Sequence, residues 1–219
     1  MDVFSKLSYI SRTRKLKLFD KVMRPSKDMK VLDVGGQANP YGKEEIQFID
    51  NYRWKKNVSV VNLSGEHISV VKKFYPEIEA VVGDCCELPW PDKSFDIVYS
   101  NAVIEHLGNF TRQKKMATEV MRVGKRWFVT TPNRWFPFEF HTRLPFVTWF
   151  PGNVYLWISD LISYSHIKKK YTMGKKIRGL RLMSVRELKE CFQNSKIVKH
   201  RVTFMAETLI VISADSQTL

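Results

Sequence analysis

The chain has 219 residues, which suits one α/β domain with an appendage and is too short for two well-packed enzyme domains. Hydrophobic residues make up 44% of it and charged residues 26%, so it can bury a sizeable core and wholesale disorder is excluded. Lys and Arg number 36 against 22 Asp and Glu, and the net charge of +14 predicts attraction to an anionic partner such as nucleic acid, an acidic lipid surface or a phosphorylated substrate.

Two short segments carry nearly all of this charge. Residues 1–30 contain nine Lys and Arg against three Asp, and residues 166–181 contain seven Lys and Arg with no acidic residue. The rest of the chain is close to neutral, so we expect any attraction to an anionic partner to be local to these two segments.

The hydrophobic pattern predicts helices and strands that alternate as far as residue 131. We expect a helix over residues 3–23, strands over 30–34, 57–63, 78–82, 95–100 and 126–131, helix-compatible residues over 43–52, and crossover helices over 67–75 and 109–123. Strands that alternate with helices at this spacing form a parallel sheet covered by helices on both faces.

The C-terminal part follows a different pattern. Ser184 and Glu187 form a capping box, which begins a helix that we expect to end near Gln193. The strands predicted at 196–204 and 207–213 are separated by only a couple of residues, so they must pair as an antiparallel hairpin. The predicted fold class is therefore α/β, with a seven-stranded mixed sheet that is parallel apart from its C-terminal hairpin.

The domain organisation that we predict is a basic N-terminal helical segment, residues 1–28, followed by one domain, residues 29–219. Within that domain, residues 134–182 belong to no strand–helix unit and are expected to form an insertion.

Cysteine usage and hydropathy bear on the compartment. The three cysteines, two of them adjacent as Cys85 and Cys86, cannot form a disulfide framework and match no metal-ligand spacing, so we expect a reducing compartment and no metal site. The N-terminus lacks the uninterrupted apolar core of a signal peptide. The longest uncharged run, residues 144–159, is shorter than the roughly 20 residues of a membrane span. A cytoplasmic protein is expected.

Polar or glycine residues close every strand of the predicted parallel sheet. The strand ends read Asp33-Val34-Gly35-Gly36, Asn62-Leu63-Ser64, Gly83-Asp84-Cys85, Ser100-Asn101 and Thr131-Pro132-Asn133. Because ligands of open α/β sheets bind beyond the carboxyl ends of the strands, these residues are the candidates for a binding site. Glycines after the first strand let a ligand approach the backbone closely.

Two runs give the chain a family resemblance. They are Val31-Leu-Asp-Val-Gly-Gly36 and the longer run that begins Gly83-Asp-Cys-Cys-Glu-Leu-Pro-Trp-Pro91 and ends Ala102-Val-Ile-Glu-His-Leu107. The chain resembles the class I S-adenosylmethionine-dependent methyltransferases, particularly the methyltransferase type 11 group, over roughly residues 29–135 and again at the terminal helix and hairpin. The resemblance implies a Rossmann-like sheet and S-adenosylmethionine as the cofactor.

The resemblance also implies roles for individual residues. Asp33, Gly35 and Gly36 would face the methionine part of the cofactor. Its ammonium group would pair with a carboxylate, and its carboxylate would accept hydrogen bonds from backbone N–H groups. Asp84 would accept a hydrogen bond from the adenine amino group, and the Cys85 N–H would donate to the ring. Asn101 would lie near the sulfonium.

Two positions depart from the family pattern. The second glycine of the family's Asp-x-Gly-x-Gly motif falls on Gln37, although Gly36 can replace it. The acidic residue that holds the ribose hydroxyls is replaced by Asn62, and Glu66 is an alternative ribose ligand. A neutral amide binds a diol less tightly than a carboxylate does.

Methyl transfer to a hydroxyl requires a base that removes the proton. His106 follows the fourth strand and is the first candidate, with packing under the next helix as the structural alternative; His141, in the insertion, is the second. The family motif for methylation of base amines is absent, since its place reads Ser100-Asn-Ala-Val103. Cytosine methylation needs a cysteine near the methyl group, whereas Cys85 would lie beside the adenine. A hydroxyl or carboxyl acceptor is therefore favoured.

The insertion combines aromatic residues with positive charge. Nine aromatic residues fall within 135–157, and Lys168–Lys170 follow. This composition is typical of a segment that lies in a membrane interface, with Trp at headgroup depth and Lys on anionic lipid. The alternatives are a satellite core and substrate lid with a solvated basic rim, or a nucleic-acid surface, which is less favoured because the aromatics precede the charges instead of interleaving with them.

The function that we expect from the sequence is O-methylation of a small-molecule, glycan or lipid-linked acceptor, by a protein that is cytoplasmic or peripheral on the inner membrane face through residues 1–30 and 135–181. The alternatives are an RNA methyltransferase recruited by the basic segments, and a non-catalytic S-adenosylmethionine-binding or membrane-adapter module. A nicotinamide dehydrogenase is disfavoured because residues 35–40 lack the Gly-x-Gly-x-x-Gly turn.

Overall fold

Helices and strands alternate along the chain as the hydrophobic pattern predicts. The computed structural model describes residues 3–42, 46–139, 142–150, 152–165, 170–173 and 179–216. Its helices are α1 (Val3–Met23), α2 (Phe48–Asn51), α3 (Gly65–Phe74), α4 (Phe110–Val123), α5 (Gly152–Leu161) and α6 (Val185–Cys191), with 3₁₀ helices at Lys55–Asn57, Ile104–Leu107 and Val147–Trp149. Its strands are β1 (Val31–Val34), β2 (Val58–Asn62), β3 (Glu79–Val82), β4 (Phe95–Asn101), β5 (Gly124–Pro132), β6 (Phe138–Glu139), β7 (Leu144–Pro145), β8 (Ser163–Ser165), β9 (Lys170–Thr172), β10 (Ser195–Arg201) and β11 (Ala206–Ser213).

Seven of the strands form one mixed sheet in the order β10-β11-β5-β4-β1-β2-β3. The β1–β2, β2–β3, β1–β4 and β4–β5 pairs are parallel, and β11 is antiparallel to both β5 and β10. The predicted fold class, a seven-stranded mixed sheet with a C-terminal hairpin, is confirmed. The chain order reverses between β1 and β4, and this switch point is where open α/β sheets bind ligands.

Apolar layers cover both faces of the sheet. On one face α4 and α6 contribute Met116, Val120 and Leu188, all fully buried. On the other face α1, α2 and α3 contribute residues such as Phe19 and Ile49. The positions of α4 that are buried recur at the spacing of a helix face, which is why this segment forms a crossover helix.

The first helix packs into the main core. Phe19 is 1% exposed, and its ring lies edge-on at 5.4 Å from the Tyr99 ring and 5.5 Å from the Phe128 ring. Near the C-terminal end of α1, Val22 and Met23 are also buried. The helix predicted at residues 3–23 is confirmed, and its C-terminal half belongs to the same core as the sheet.

The insertion has a small core of its own and an aromatic surface. Val147 and Tyr155 pack with Leu180 and Leu182 in a cluster separate from the two main layers. Six described aromatic side chains of the insertion are 47–64% exposed: Trp135, Phe146, Trp149, Phe150, Trp157 and Tyr171. The described part of the insertion therefore buries few of its aromatic residues and leaves most of them on the surface.

The far end of the insertion is tied to the sheet beside the end of β4. The Arg181 N–H donates to the Glu105 carbonyl at 2.7 Å, and the Gln113 side chain donates to the Arg181 carbonyl at 2.8 Å.

Hydropathy along the described helices identifies none that could span a membrane.

Candidate active site

The turn after β1 depends on its glycines. Gly35 has a positive φ of 78°, and a side chain there would collide with Val103. A Cβ on Gly36 would lie 2.5 Å from the Asp33 carboxylate. Both positions therefore require glycine, and the backbone of the turn stays bare beside the Asp33 side chain.

Asp33 is a buried acid on a central strand. It is 3% exposed, and burial raises the pKa of its carboxyl group to about 8. The carboxyl group is therefore largely protonated at neutral pH, and a cation placed beside it would lower its pKa. A site of this kind favours a cationic ligand.

Asn62 holds the glycine turn from the end of β2. Its side-chain NH₂ group donates to the carbonyls of Gly35 at 3.2 Å and Gly36 at 2.9 Å, and its oxygen accepts from the Ser64 N–H at 2.8 Å. Both donor hydrogens are thus used within the protein, which leaves acceptor capacity on the oxygen for a hydroxyl ligand. Glu66, the other residue considered for the ribose, is exposed in the first turn of α3.

Asp84 follows β3 and is held in place by α4. Its carboxylate accepts from the Cys86 N–H at 2.9 Å, and its two oxygens accept from one guanidinium nitrogen of Arg112 at 2.9 and 3.2 Å. The Cys86 N–H is the main cause that lowers the pKa of Asp84, so the group is a carboxylate at neutral pH. Burial raises the pKa of the Cys85 thiol to about 12, which leaves it protonated and a poor nucleophile.

Asn101, at the end of β4, joins this strand to α1 and to β5 through hydrogen bonds. Its oxygen accepts from the Lys15 amine and from the Thr130 hydroxyl, both at 2.8 Å. Asn101 also lines a small cavity of about 20 Å³ together with Asp33, Gly35 and Gly36, and Gln47 and Phe48 line it as well. Four of the residues predicted for the cofactor therefore meet at one point.

His106, the first candidate base, and its neighbour Glu105 lie on the same 3₁₀ helix but face opposite ways. Glu105 is fully buried and accepts from the Thr131 hydroxyl at 3.0 Å, whereas His106 is exposed. The inward-facing residue of the two is therefore Glu105. His141, the second candidate base, lies outside the described residues.

A buried polar cluster joins α1 to the end of β10 and the start of β11, and it was not predicted from the sequence. Lys15 is 7% exposed, Glu207 4% and His200 9%. Glu207 accepts from the Val202 N–H at 3.0 Å and from the Ser11 hydroxyl at 3.5 Å. The sequence carried one signal for this cluster: Lys15 lies four and seven positions before Phe19 and Val22, on the buried stripe of α1.

A larger cavity lies away from the strand ends. Its volume is about 250 Å³, and it opens between α1 and residues 46–53. The two cavities share Phe48. The larger cavity is lined by none of the strand-end residues, so the chemistry of the strand ends identifies the smaller one as the site.

Comparison with known proteins relates part of the chain to methyltransferases. A family model described as "Methyltransferase domain" matches residues 42–127. A "Probable S-adenosylmethionine-dependent methyltransferase" of Mycobacterium tuberculosis is 34% identical over 99 residues, which cover 45% of this chain and 34% of that protein. A relative of similar description from Mycolicibacterium smegmatis is 36% identical over 77 residues, which cover 34% of this chain and 30% of that protein. The chain thus spans about a third of the length of the curated relatives it matches.

Solved structures extend the likeness to nearly the whole chain. The PH0226 protein of Pyrococcus horikoshii superposes with a TM-score of 0.60 at 17% identity, over 93% of this chain and 89% of that one. An N1-methyltransferase of Burkholderia thailandensis, solved with S-adenosylhomocysteine, superposes with a TM-score of 0.53 at 13% identity, over 95% and 78%.

Residues 42–127 match a methyltransferase domain, and the sheet has the Rossmann-like fold of the class I S-adenosylmethionine-dependent methyltransferases. The resemblance stated from the sequence is confirmed over this match and in the fold.

Proposed function

We propose that this protein transfers the methyl group of S-adenosylmethionine to an oxygen acceptor. The observation that carries the proposal is the convergence of Asp33, the two turn glycines and Asn101 on one cavity at the switch point of the sheet. The printed descriptions of the matched relatives, probable S-adenosylmethionine-dependent methyltransferases, support the choice of cofactor.

The groups at the strand ends fit this cofactor. The cofactor carries an ammonium group, for which the buried Asp33 carboxyl is a matched partner, and a diol, for which the Asn62 oxygen is an acceptor. Asp84 offers a carboxylate for the adenine amino group, and the bare turn at Gly35 lets the methionine part approach the backbone. When bound, the cofactor supplies an electrophilic methyl group.

Cofactor entry requires a rearrangement at the edge of the site. Small-molecule sites usually enclose a few hundred Å³, roughly 300 or more, whereas the strand-end cavity has a volume of about 20 Å³. Gln47 and Phe48 are among the side chains that line it, and we expect lining side chains to move apart when the cofactor binds.

An oxygen acceptor is supported by the residues around Asn101. Asn101 is partly exposed at this end of the sheet, and its amide group can orient a hydroxyl. The thiols of Cys85 and Cys86 have raised pKa values, chiefly because of burial, which disfavours a route through a cysteine nucleophile.

A membrane surface is the partner that we propose. The exposed aromatic side chains of the insertion, Trp149, Phe150 and Trp157 among them, precede a segment with seven basic residues and no acidic one. Aromatic side chains bind at the depth of lipid headgroups, and each basic residue near an anionic surface contributes about 1 kcal/mol. The proposed acceptor is accordingly a lipid-linked or glycan hydroxyl presented at an anionic membrane, with RNA as the competing polyanion.

Titration calorimetry with S-adenosylmethionine on the full chain tests the cofactor assignment. We expect Asp84→Ala to weaken binding by about tenfold or more, because a charge-assisted hydrogen bond to the adenine is lost. Asp92→Ala is the matched control, since Asp92 also pairs with an arginine, Arg122 at 3.0 Å, but lies in the turn before β4 and not at the carboxyl end of a strand. Absence of any binding by the wild-type chain, or equal losses in the two variants, would contradict the proposal.

A further inference from the structure

Lys15 contacts a residue that lines the proposed methyl-transfer site. Its amine donates to the Asn101 oxygen at 2.8 Å, and Asn101 lines the strand-end cavity with Gly35 and Gly36. Helix α1 therefore brings a nitrogen base to the end of β4, where an acceptor must approach the cofactor's methyl group.

The amine is buried among charges of both signs. Burial has the largest effect on its pKa and disfavours the protonated form, as does the positive charge of Arg12 on the same helix. Glu105 from the 3₁₀ helix and Glu207 from β11 act in the opposite direction, and the net result is a pKa of Lys15 lowered to about 8. At pH 7 roughly a tenth of the amine is therefore neutral, against far less than a hundredth for an ordinary lysine.

The neighbouring imidazole does not compete as a base at neutral pH. His200, on β10, has a pKa lowered to about 4 by burial and by the positive charges of Lys15 and Arg14. It is therefore neutral and very weakly basic at pH 7. Among the described groups of this cluster, the Lys15 amine is the one whose proton affinity matches the task near pH 8.

We propose that Lys15 is the catalytic base that deprotonates the acceptor hydroxyl. In this step the amine leaves the Asn101 oxygen and takes the hydroxyl proton to become an ammonium, while the acceptor oxygen bonds to the methyl carbon. The carbon–sulfur bond breaks, and its electron pair stays on sulfur, which becomes a neutral thioether. The Asn101 oxygen then accepts a hydrogen bond from the new ammonium, as it does from Lys15 in this structure.

This inference rests on the proposed methyltransferase function and deepens it. It also explains why a lysine occupies the apolar stripe of α1, where a hydrophobic residue would pack without the cost of burying an amine. The carboxylates of Glu105 and Glu207 would stabilise the ammonium that forms.

The first test measures the lysine itself. In the full chain labelled with ¹³Cε-lysine and saturated with S-adenosylhomocysteine, we expect one resonance to titrate near pH 8, whereas the others titrate at about 10.4. The early resonance should be missing in Lys15→Arg. A Lys15 resonance that titrates above about pH 10 would overturn the proposal.

The second test separates a base from a fixed positive charge. Transfer of tritiated methyl groups to the lipid and polar extracts of the source cells should fall by about a hundredfold or more in both Lys15→Met and Lys15→Arg. Arginine keeps the charge and the hydrogen bond but cannot lose its proton at neutral pH. Full activity of Lys15→Arg would overturn the proposal and make Lys15 a positioning residue.

The controls distinguish the failure of this proposal from failure of the proposed function. Lys21→Met, on an exposed position of the same helix, should keep wild-type transfer, and all three variants should bind S-adenosylmethionine within about threefold of wild type. The wild-type rate should rise about tenfold per pH unit below 8 and level off above it. A wild-type chain that binds no cofactor contradicts the methyltransferase function; a cofactor-binding chain whose transfer rate is independent of pH between about 6 and 8 contradicts only the role of Lys15.

Discussion

The two sides of the sheet edge are built in different ways. On the side that we propose binds the cofactor, the ends of β1, β2 and β3, the contacts join neighbouring turns. Asn62 reaches the carbonyl of Gly36, 26 positions away, and the N–H of Ser64, two positions away. On the acceptor side, the ends of β4 and β5 and the start of β11, Lys15 reaches Asn101 across 86 positions and Ser11 reaches Glu207 across 196. The cofactor side is thus a local construction, and the acceptor side exists only when the whole chain has folded.

The two sides also treat buried charge differently. Burial raises the pKa of Asp33 with no opposing charge among its causes, whereas the amine of Lys15 lies among groups of both signs. A buried acid without a cation favours the arrival of a positive ligand. On the acceptor side the positive and negative charges around Lys15 offset one another, so this side favours an acceptor group that carries no net charge.

Replacing the buried acid should have the largest effect on cofactor binding. Asp33→Asn should weaken S-adenosylmethionine binding by about thirtyfold or more, because the ammonium group loses a buried carboxylate. The same change should stabilise the ligand-free protein by about 1 kcal/mol at pH 8, or about 2–4 °C, since an amide needs no proton to stay neutral. Calorimetry and thermal unfolding measure the two effects.

The predicted gain in stability of Asp33→Asn should depend on pH. The folded-state pKa of Asp33, about 8, lies above the unfolded value of about 4, so the unfolded chain holds fewer protons between these values and wild-type stability falls as pH rises through that window. The advantage of Asp33→Asn should therefore grow from about pH 5 to pH 8. A variant Asp33→Asn that is less stable than wild type at pH 8 would contradict the burial argument.

Asp96→Asn is the matched control for this prediction. Burial acts to raise the pKa of Asp96, but hydrogen bonds from Lys125 and from the Lys30 N–H outweigh it, and the pKa is lowered. Its carboxylate is therefore favoured by folding, and its replacement should destabilise the protein at pH 8. Thermal unfolding of the two variants in one buffer should thus give shifts of opposite sign.

The same contrast explains what the sequence could predict. The glycine turn, Asp84 and Asn101 could be predicted as candidate site residues because each lies within a short run whose residue order is typical of one local structure. The capping box at Ser184 and Glu187 was identified for the same reason and is confirmed. Local geometry is encoded by neighbouring residues, and a single sequence displays it directly.

The acceptor side escaped prediction because no short-range rule links its members. Nothing near Glu207 in the chain shows that it accepts from Ser11, and nothing near Glu105 shows that the 3₁₀ helix turns its carboxylate inward. Asn62 was expected to hold a ribose, and its bonds to the glycine turn depend on the β1–β2 register. Whether His106 or Asn62 also contacts a ligand stays a prediction.

The insertion provides the second comparison, because it should act on membranes without acting on the cofactor. Trp149→Ala with Phe150→Ala should reduce sedimentation with vesicles that contain anionic lipid by about tenfold, since two exposed aromatic anchors are removed. Cofactor affinity should stay within about twofold of wild type. Tyr41→Ala, which removes an aromatic side chain that is 81% exposed outside the insertion, is the matched control.

Three outcomes of the vesicle experiment are informative. Binding to anionic vesicles that the double variant loses supports the membrane assignment, and equal binding to neutral vesicles would remove the role of the basic segment. Retention of an RNA oligonucleotide with a steep dependence on salt, together with no vesicle binding, would replace the membrane by RNA as the polyanion.

The smallest effects are expected from replacing two helix-capping residues, one on the cofactor side of the sheet edge and one on the acceptor side. Asn109 caps α4 by accepting from the Arg112 N–H at 2.9 Å, and Arg112 holds Asp84 on the cofactor side. Ser184 caps α6 within its capping box with Glu187, which pairs with Arg181 where the insertion returns to the sheet. Each change to alanine should cost about 1 kcal/mol of unfolding free energy, because one helix N-terminus loses an acceptor.

Equal costs in stability should then have unequal consequences for binding. Asn109→Ala should weaken S-adenosylmethionine binding roughly two- to threefold, which corresponds to about 0.5 kcal/mol, because a loosened Arg112 orients Asp84 less firmly. Ser184→Ala should leave cofactor affinity unchanged and reduce vesicle binding, since its helix end supports the anchor of the insertion. If both variants changed cofactor affinity equally, the two sides of the edge would be coupled through the core, and their separation into a local cofactor site and a long-range acceptor site would fail.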